Sequence, residues 1–131
     1  ERQEPPKTIN GYLLRIMQGE EYGRTYDLSL LSRRSMMLTM GRMDISVNNT
    51  LPIIEQQSTY ISRKHCTLEF DSSANIWFIR DGQWDRMASN GWKRSLNGTF
   101  VNSKEVSPEG YYLQVGDIIS IGDTKLRVEA Y

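Results

Sequence analysis

Short stretches of alternating apolar and polar residues recur along the chain, separated by turns rich in glycine and asparagine. Alternation with period two is typical of strands with one buried face. The clearest hairpin pairs 66–70 with 76–80 across the turn-rich segment 71–75. No stretch has a convincing helical period. The remaining predicted strands are 12–17, 25–28, 36–40, 99–101, 104–106, 117–121 and 125–129.

This pattern predicts an all-β fold, a two-sheet β-sandwich of roughly ten to eleven short, mostly antiparallel strands. The loops at one end of such a sandwich are the usual place for a binding site. Segments 12–17 and 25–28 read as an antiparallel hairpin. A connection as long as 42–60 usually has a function of its own. Segment 82–94 lacks any periodicity and is predicted to be an exposed insertion.

The 131 residues suffice for one domain with a two-layer core. Residues 1–10 are polar, contain Pro5-Pro6 and lack periodicity, which is typical of a linker or a flexible arm. The domain is predicted to cover 11–131. The chain begins without a methionine and ends within an apolar alternation, so we expect it to be part of a larger signalling protein.

Charge and cysteine content narrow the function classes. Sixteen basic and sixteen acidic residues give a net charge of zero, so the bulk electrostatics favour neither a nucleic acid nor a membrane partner. Any anion site must therefore be local. The single cysteine cannot form an internal disulfide, which favours a cytoplasmic or nuclear location. No apolar run reaches the length of a membrane span or a signal sequence.

Three short motifs fall where predicted loops meet strands. Gly41-Arg42 ends one strand, Ser62-Arg63-Lys64-His65 precedes another, and Ser-Leu-Asn-Gly-Thr-Phe-Val-Asn at 95–102 joins an Asn-Gly turn to a third. Together with the segment 113–122 behind them, these motifs closely resemble the forkhead-associated domain in order and spacing. The resemblance covers nearly the whole chain from Gly11 onward. It implies a two-sheet β-sandwich that binds phosphothreonine in partner proteins.

The chemistry of a phosphate site explains the first two motifs. Arg42 offers a planar guanidinium that can bond two phosphate oxygens at once, which a lysine cannot do. By resemblance, Ser62 gives a hydroxyl to the phosphate, and Arg63 adds a second charge. These three residues form the predicted phosphothreonine-binding group.

The third motif is predicted to contact the ligand backbone. By resemblance, Asn97 hydrogen-bonds the peptide just after the phosphothreonine, since its amide both donates and accepts. Leu96 is assigned to the same part of the site, although the family often has a threonine or serine there, so one hydroxyl contact is missing. The resemblance gives a supporting structural role to Gly41, His65, Gly98, Thr99 and Asn102.

An enzyme is the first alternative to a binding module. His65 and Cys66 could suggest a nucleophile pair, but neighbours on a strand point to opposite faces. One histidine and one cysteine cannot furnish a closed zinc site, and no phosphate-binding Gly-Lys loop is present. We therefore expect no catalysis, no metal and no cofactor.

Two other binding functions stay open. A carbohydrate-binding β-sandwich would use exposed aromatic side chains such as Trp84 and Trp92, but it would not need Arg42, Ser62 and Arg63. A sandwich can also bind unphosphorylated protein through a sheet face or an exposed aromatic loop. The function predicted from the sequence is recognition of phosphothreonine, either in a partner or in the parent chain.

Overall fold

Strands form wherever the sequence alternates apolar and polar residues. The computed structural model describes residues 8–131 and has thirteen strands and one four-residue helix in that part of the chain. The helix α1 covers Leu28–Leu31. The strands are β1 (Tyr12–Gln18), β2 (Thr25–Asp27), β3 (Met37–Arg42), β4 (Leu51–Ile53), β5 (Cys66–Asp71), β6 (Ile76–Asp81), β7 (Gln83–Trp84), β8 (Trp92–Lys93), β9 (Thr99–Val101), β10 (Lys104–Glu105), β11 (Tyr111–Tyr112), β12 (Ile118–Ile121) and β13 (Thr124–Ala130).

The strands form two main sheets, which confirms the predicted β-sandwich. The first sheet has the order β10-β9-β12-β13-β1-β2, and the second has the order β11-β6-β5-β3-β4. Strands β7 and β8 form a separate two-stranded hairpin. All pairs are antiparallel except β3 with β4.

The core lies between the inward faces of the two sheets. Leu14 and Leu126 belong to the first sheet, Leu68 and Ile79 to the second, and all four are fully buried. Burying one such side chain contributes about 1.5–3 kcal/mol. The positions between them are more exposed, as the period of a strand requires.

The two predicted hairpins are confirmed by the register of their strands. In the first, Leu14 of β1 lies opposite Tyr26 of β2. In the second, β5 and β6 pair from Cys66 opposite Asp81 to Asp71 opposite Ile76. These pairings are local in sequence, so alternation and turn chemistry were sufficient to predict them.

The thirteen strands of the described residues roughly fit the expected ten to eleven and exceed that number by a few short elements. Strand β4 lies inside the connection 42–60 and contains Pro52, which fits the edge of a sheet because proline cannot donate a ladder hydrogen bond. Strands β7, β8 and β11 have only two residues each, too few for a visible alternation. Helix α1 was not predicted, because one turn is too short to show a helical period. The turn is stabilised by the Asp27 cap, which accepts from Leu30 N at 3.0 Å.

The proposed linker 1–10 lies mostly outside the described residues. Asn10 and Gly11 donate backbone hydrogen bonds to the Tyr131 carbonyl at 2.6 and 3.1 Å. The domain limit at Gly11 stays a prediction. None of the helical structure in residues 8–131 is long and apolar enough to span a bilayer.

Candidate functional site

An open cleft of about 540 Å³ lies where several loops meet at one end of the sandwich. Five basic side chains and one carboxylate line it, although the whole chain has a net charge of zero. The cleft therefore concentrates positive charge locally. Its lining residues are Arg42, Val47, Thr59, Ile61, Ser62, Arg63, Lys64, Asp85, Lys93, Arg94, Ser95 and Leu96.

Arg42 is the last residue of β3 and is held by the neighbouring loop. Its backbone N donates to Ser62 O at 3.0 Å, and its Nε donates to Ile61 O at 3.1 Å. The side chain is 27% exposed, and one terminal nitrogen is 4.0 Å from a carboxylate oxygen of Asp44. The Nε bond fixes the plane of the guanidinium, so its terminal nitrogens can face a ligand in the cleft.

Gly41 allows two segments of backbone to approach each other closely. A Cβ at this position would overlap the carbonyl group of Arg63 and lie 2.9 Å from the carbonyl oxygen of Ser62. Both contacts involve backbone, which cannot turn aside as a side chain can. A residue without a side chain is therefore required for Ser62 and Arg63 to lie against β3.

Ser62 connects two walls of the cleft. Its Oγ accepts a hydrogen bond from Leu96 N at 3.0 Å, and its backbone N donates to His65 Nδ1 at 2.9 Å. Among the described residues, the Ser62 hydroxyl proton has no acceptor. The hydroxyl can therefore donate to an anion while its position is held by Leu96.

Arg63 is exposed, and it braces the loop between β3 and β4. Its Nη1 donates to Ser46 Oγ at 3.2 Å, and its carbonyl accepts from Asn49 Nδ2 at 2.7 Å. Asp44 accepts from both the backbone N and the hydroxyl of Ser46. These hydrogen bonds from Ser46 are the main reason that the pKa of Asp44 lies below its usual value.

His65 is fully buried behind the cleft. Its Nε2 lies 2.8 Å from the Gly98 carbonyl, and its Nδ1 accepts from Ser62 N. Since a carbonyl can only accept, these partners assign the neutral tautomer with the proton on Nε2. Burial lowers the pKa of His65, more than the Gly98 hydrogen bond and the charges of Asp81 and Glu55 raise it.

Asp81, at the end of β6, organises the loop 95–99, and sequence reasoning missed it. The carboxylate is buried and accepts from Ser95 Oγ at 2.5 Å, Ser95 N at 3.2 Å and Thr99 Oγ1 at 2.7 Å. Arg94 Nε lies 3.4 Å from the same carboxylate. In the sequence, Asp81 is only a single acidic residue at the end of a strand. Many such residues are exposed to solvent, so this signal did not mark Asp81 as part of the site.

Asn97 lies beside the cleft and is not part of its lining. Its Nδ2 donates to Tyr60 O at 2.9 Å, which connects the loop 95–99 to the segment before Ser62. Gly98 has a φ of +88°, a left-handed conformation that glycine accepts at little cost. The Leu96 side chain is 85% exposed at the rim.

Asn102 lies away from the cleft, in the turn after β9. Its φ is +51°, and its Nδ2 donates to Asp117 Oδ1 at 2.9 Å. Its Oδ1 accepts from Ile118 N at 2.9 Å. Asn102 therefore joins β9 to the start of β12.

The segment 82–94, predicted to be an exposed insertion, contains the hairpin of β7 and β8, and seven of its thirteen residues are exposed. Gln83 is buried and donates from Nε2 to Met40 O, Asn49 Oδ1 and Cys66 O, at 2.9 to 3.2 Å. The hairpin itself was not predicted, because β7 and β8 have only two residues each.

The two tryptophans of this hairpin differ in their surroundings. Trp92 is partly buried, donates from Nε1 to Asp81 O at 2.9 Å and has the Arg80 guanidinium 4.4 Å from its ring centre. Trp84 is 66% exposed. Trp92 thus supports the hairpin, and only Trp84 offers an open ring.

The buried Cys66 and His65 do not form a reactive pair. Burial raises the pKa of the Cys66 thiol far above its usual value, so it stays protonated. Both nitrogens of His65 already have backbone partners. Within residues 8–131, no group of three or more His, Cys, Asp or Glu side chains could hold a metal ion.

Three basic residues of the cleft were not predicted as site residues. Lys64 lies in the second motif, while Lys93 and Arg94 follow the short strand β8. No local pattern marks Lys93 and Arg94, because their approach to Arg42 depends on how the hairpin packs. The complete arrangement is suited to binding an anion with more than one point of contact.

Comparison with known proteins identifies the fold family. The FHA domain model matches residues 38–122. No curated protein sequence gives a significant match. The FHA domain of an Arabidopsis thaliana hypothetical protein is 26% identical with a TM-score of 0.66, over 98% of this chain and 94% of that one.

Two further solved structures have the same fold. One, from a study of phosphothreonine-dependent FHA domain interactions, is 24% identical with a TM-score of 0.64, over 93% of this chain and 98% of that one. The other is Mycobacterium tuberculosis EmbR in complex with a low-affinity phosphopeptide, 21% identical with a TM-score of 0.62, over 91% of this chain and 24% of that one. The family match extends over more than half of the chain, and the chain belongs to the FHA domain family.

Proposed function

We propose that this domain is a phosphopeptide-recognition module that binds phosphothreonine in partner proteins or in its own parent chain. The observation that carries the proposal is that Arg42, Ser62 and Arg63 line one cleft. The lining of this cleft has five cationic side chains, these two arginines among them, and one carboxylate. A phosphothreonine brings a charge of about −1.5 to −2 and three acceptor oxygens. Its charge and hydrogen-bonding capacity complement this lining.

Each of the three residues has a separate role in the proposal. Arg42, oriented by its bond to Ile61 O, binds two phosphate oxygens. The Ser62 hydroxyl donates to a third oxygen while Leu96 N holds it in place. Arg63 is exposed and adds a charge at the rim, where solvent screens it more strongly.

Asn97 and Leu96 are proposed to lie along the path of the ligand backbone. Asn97 uses Nδ2 to bond Tyr60 O, and its Oδ1 has no donor among the described residues. That oxygen can accept from a backbone N–H of the ligand. The supporting roles proposed for Gly41, His65, Gly98 and Thr99 agree with their backbone and buried contacts. Asn102 would act farther away, through the turn after β9.

Two of the similar structures support phosphate as the ligand chemistry. One concerns phosphothreonine-dependent interactions, and the other contains a phosphopeptide. A neutral carbohydrate would not use five cationic side chains. The Trp92 ring already contacts the Arg80 guanidinium, and its Nε1 already donates to Asp81 O. Binding of unphosphorylated protein is an additional function that the sheet faces permit, but the charge of the cleft gives it no support.

The domain acts by binding and not by catalysis in this proposal, because the FHA family consists of phosphopeptide-binding modules. It would recruit a larger parent protein, in the cytoplasm or the nucleus, to a partner marked by a kinase. Neither a nucleic acid nor a membrane is proposed as a partner, since the net charge is zero.

The test is fluorescence anisotropy with an oriented phosphothreonine peptide library, with phosphoserine and unphosphorylated peptides as controls. Arg42→Ala should weaken binding at least about tenfold, because charged hydrogen bonds contribute about 1.5–3 kcal/mol each. Arg33→Ala is the matched control, since Arg33 is exposed outside the cleft. Equal binding of phosphorylated and unphosphorylated peptides by the wild type would overturn the proposal.

A further inference from the structure

The outer face of the second sheet carries two aromatic rings beside two carboxylates. Tyr112 of β11 lies opposite Phe78 of β6, and Phe78 lies opposite Glu69 of β5. Residues that lie opposite each other in a sheet point to the same face, so these three side chains form one row. Asp71 follows Glu69 by two positions along β5 and therefore points to that face as well. None of these side chains lines the basic cleft.

An open pocket of about 390 Å³ lies beside the two rings. The ring centres of Phe78 and Tyr112 are 4.9 Å apart and their planes meet at 57°, so the rings form two walls at an angle. Tyr112 is 52% exposed, and Phe78 is partly buried. Aromatic faces with carboxylates and no neighbouring cation favour a positively charged group. The pocket has no basic residue in its lining, which consists of Glu69, Phe70, Asp71, Ser72, Phe78 and Tyr112.

The two carboxylates keep one negative charge without an internal partner. Arg80 lies over the Trp92 ring, and its terminal nitrogen is 3.9 Å from a carboxylate oxygen of Glu69. If this pair counts as neutral, the charge of Asp71 remains, because Asp71 makes no ion pair with any residue in 8–131. The hydrogen bond from the Ser73 hydroxyl is the main reason that the pKa of Asp71 lies below its usual value, so Asp71 is ionised at neutral pH. One cation from outside would balance this charge.

The apolar part of this face continues across the sheet. Met37 of β3 lies opposite Glu69, on the other side from Phe78, and is 47% exposed. Methionine adapts its shape to different apolar partners. A face of this kind fits a protein segment, whose apolar side chains can cover Met37 while a basic side chain enters the pocket. A small inorganic cation would leave Met37 uncovered.

We infer that this face binds a basic side chain of a protein partner, with arginine preferred over lysine, between the rings of Phe78 and Tyr112 and the carboxylates of Glu69 and Asp71. A guanidinium can stack flat on one ring while its N–H groups donate to a carboxylate. A lysine ammonium is a compact charge and does not stack in this way. The surface is additional to the phosphothreonine site and needs no phosphate on the partner.

The face is far enough from the cleft for the two to be tested separately. Cys66, at the start of β5, pairs with Asp81, which contacts Arg94 of the cleft lining. Asp71 is five positions further along the strand. At about 3.4 Å per residue, this distance is roughly 17 Å. The Debye length is about 8 Å at physiological ionic strength, so a charge bound in one place is largely screened from the other.

The experiment follows the backbone amides of the whole chain by NMR while a short peptide is added. The peptide has one arginine among glycine and serine residues, and its ends are acetylated and amidated so that the arginine is its only charge. Matched peptides carry lysine, or citrulline, which has nearly the size of arginine and no charge. The arginine peptide should shift the amides of Glu69, Phe78 and Tyr112. It should bind at least about threefold more tightly than the citrulline peptide, the gain expected of an exposed cation–π contact and one charge pair.

Two variants test the assigned side chains. Tyr112→Leu removes one ring and Glu69→Gln removes one charge, and each should weaken binding of the arginine peptide about two- to fivefold. Tyr111→Leu is the matched control for the ring, since Tyr111 is in the same strand but lies opposite the buried Ile79. Glu105→Gln is the control for the charge, since Glu105 is exposed and does not line the pocket. Both controls should bind like wild type, and the NMR spectra should show all four proteins folded.

The outcomes separate this surface from the phosphothreonine site. Equal affinity for the arginine and citrulline peptides would overturn the inference, as would equal losses in Tyr112→Leu and Tyr111→Leu. A lysine peptide that binds more tightly than the arginine peptide would overturn the preference for arginine. Arg42→Ala should bind the arginine peptide like wild type, and Tyr112→Leu should bind a phosphothreonine peptide like wild type. A loss of arginine-peptide binding in Arg42→Ala would show that the peptide does not bind at this separate face.

Discussion

The imidazole Nε2 of His65 lies 2.8 Å from the carbonyl oxygen of Gly98, although the two residues are 33 positions apart. The other ring nitrogen accepts from Ser62 N. One buried side chain thus joins the loop before β5 to the loop before β9. The hydrogen bond from Ser62 N needs the neutral ring, because a protonated Nδ1 could no longer accept, whereas Nε2 can donate to Gly98 O in either form.

The stability of the domain should therefore depend on the protonation of His65. Burial lowers the pKa of His65 from its ordinary value of 6.5, so the unfolded chain binds the proton more readily than the folded protein. The stabilisation is complete above that ordinary pKa and is lost as the pH falls through the lowered pKa of the folded state. Urea unfolding of the wild type between about pH 7.5 and pH 5 should show this loss.

His65→Gln is the comparison for this pH effect. It should be less stable than wild type by about 1–3 kcal/mol at neutral pH, because buried hydrogen bonds are lost. Below pH 6.5 the difference from wild type should shrink. Stability is a better readout than affinity here, since the phosphate of the ligand also gains a proton near pH 6. Parallel pH profiles of the two proteins would contradict the prediction.

Gly41→Ala should reduce both stability and peptide binding. The new methyl group would overlap the Arg63 carbonyl, so the backbone at Ser62 and Arg63 must move away from β3. Overpacking of this kind costs about 1–3 kcal/mol. Measurements are urea unfolding and anisotropy with one phosphothreonine peptide.

Gly23→Ala is the matched control for that variant. Gly23 has a φ of +90° with nothing within 4 Å of an added Cβ, and it does not line the cleft. It should lose stability through backbone strain and still bind the peptide like wild type. If Gly41→Ala also binds like wild type, the close approach does not shape the cleft.

The parts of the fold that are local in sequence could be predicted from it. The β5–β6 hairpin follows from the alternating segments 66–70 and 76–80 on either side of a polar turn. Gly41 and Gly98 were marked by motif, and each has a physical reason in the structure, one from a close approach and one from a positive φ. The positive φ of Gly98 is a property of one residue, whereas the effect at Gly41 involves the distant backbone of Ser62 and Arg63.

Contacts between distant segments could not be predicted in the same way. Asp81 meets Thr99 because β6 and the loop before β9 end side by side, and no period in the sequence encodes that. Lys93 reaches the cleft only because Gly82 and Trp92 fix the hairpin against β6. Short elements such as β7 depend on tertiary packing, which overrides weak local preference.

Asp81→Asn should disturb the loop 95–99 more than its conservative size suggests. The carboxylate accepts from Ser95 Oγ and Thr99 Oγ1, and an amide nitrogen would face one of these hydroxyls or Ser95 N. We expect a loss of about 2–3 kcal/mol in unfolding free energy, in the range of hydrogen bonds to charged groups. The Gly98 amide, which donates to Ser95 Oγ at 2.8 Å, should exchange its hydrogen faster.

Asp123→Asn provides the control for the loss of one carboxylate, since Asp123 is exposed in the turn between β12 and β13. It should leave stability within about 0.5 kcal/mol of wild type. Unchanged exchange at Gly98 in Asp81→Asn would show that the loop does not depend on this carboxylate.

The last prediction separates Arg63 from Asn97 by the effect of salt. Arg63 is exposed, and its proposed attraction to the phosphate is mainly a charge interaction. The Debye length falls from about 10 Å at 0.1 M to about 3 Å at 1 M ionic strength, so salt screens this attraction. Arg63→Ala should therefore weaken binding less at high salt than at low salt, and its affinity should depend less on salt than that of wild type.

Asn97→Ala should give the opposite pattern. It removes a neutral amide whose Nδ2 bonds Tyr60 O and whose Oδ1 is proposed to accept from the ligand. Binding should weaken by about 1–3 kcal/mol while the salt dependence stays near that of wild type, because amide contacts are screened little. Fluorescence anisotropy of one phosphothreonine peptide, across a range of sodium chloride concentrations, measures both slopes. Equal slopes for Arg63→Ala and wild type would remove Arg63 from the phosphate-binding group, and normal affinity of a folded Asn97→Ala would remove Asn97 from the site.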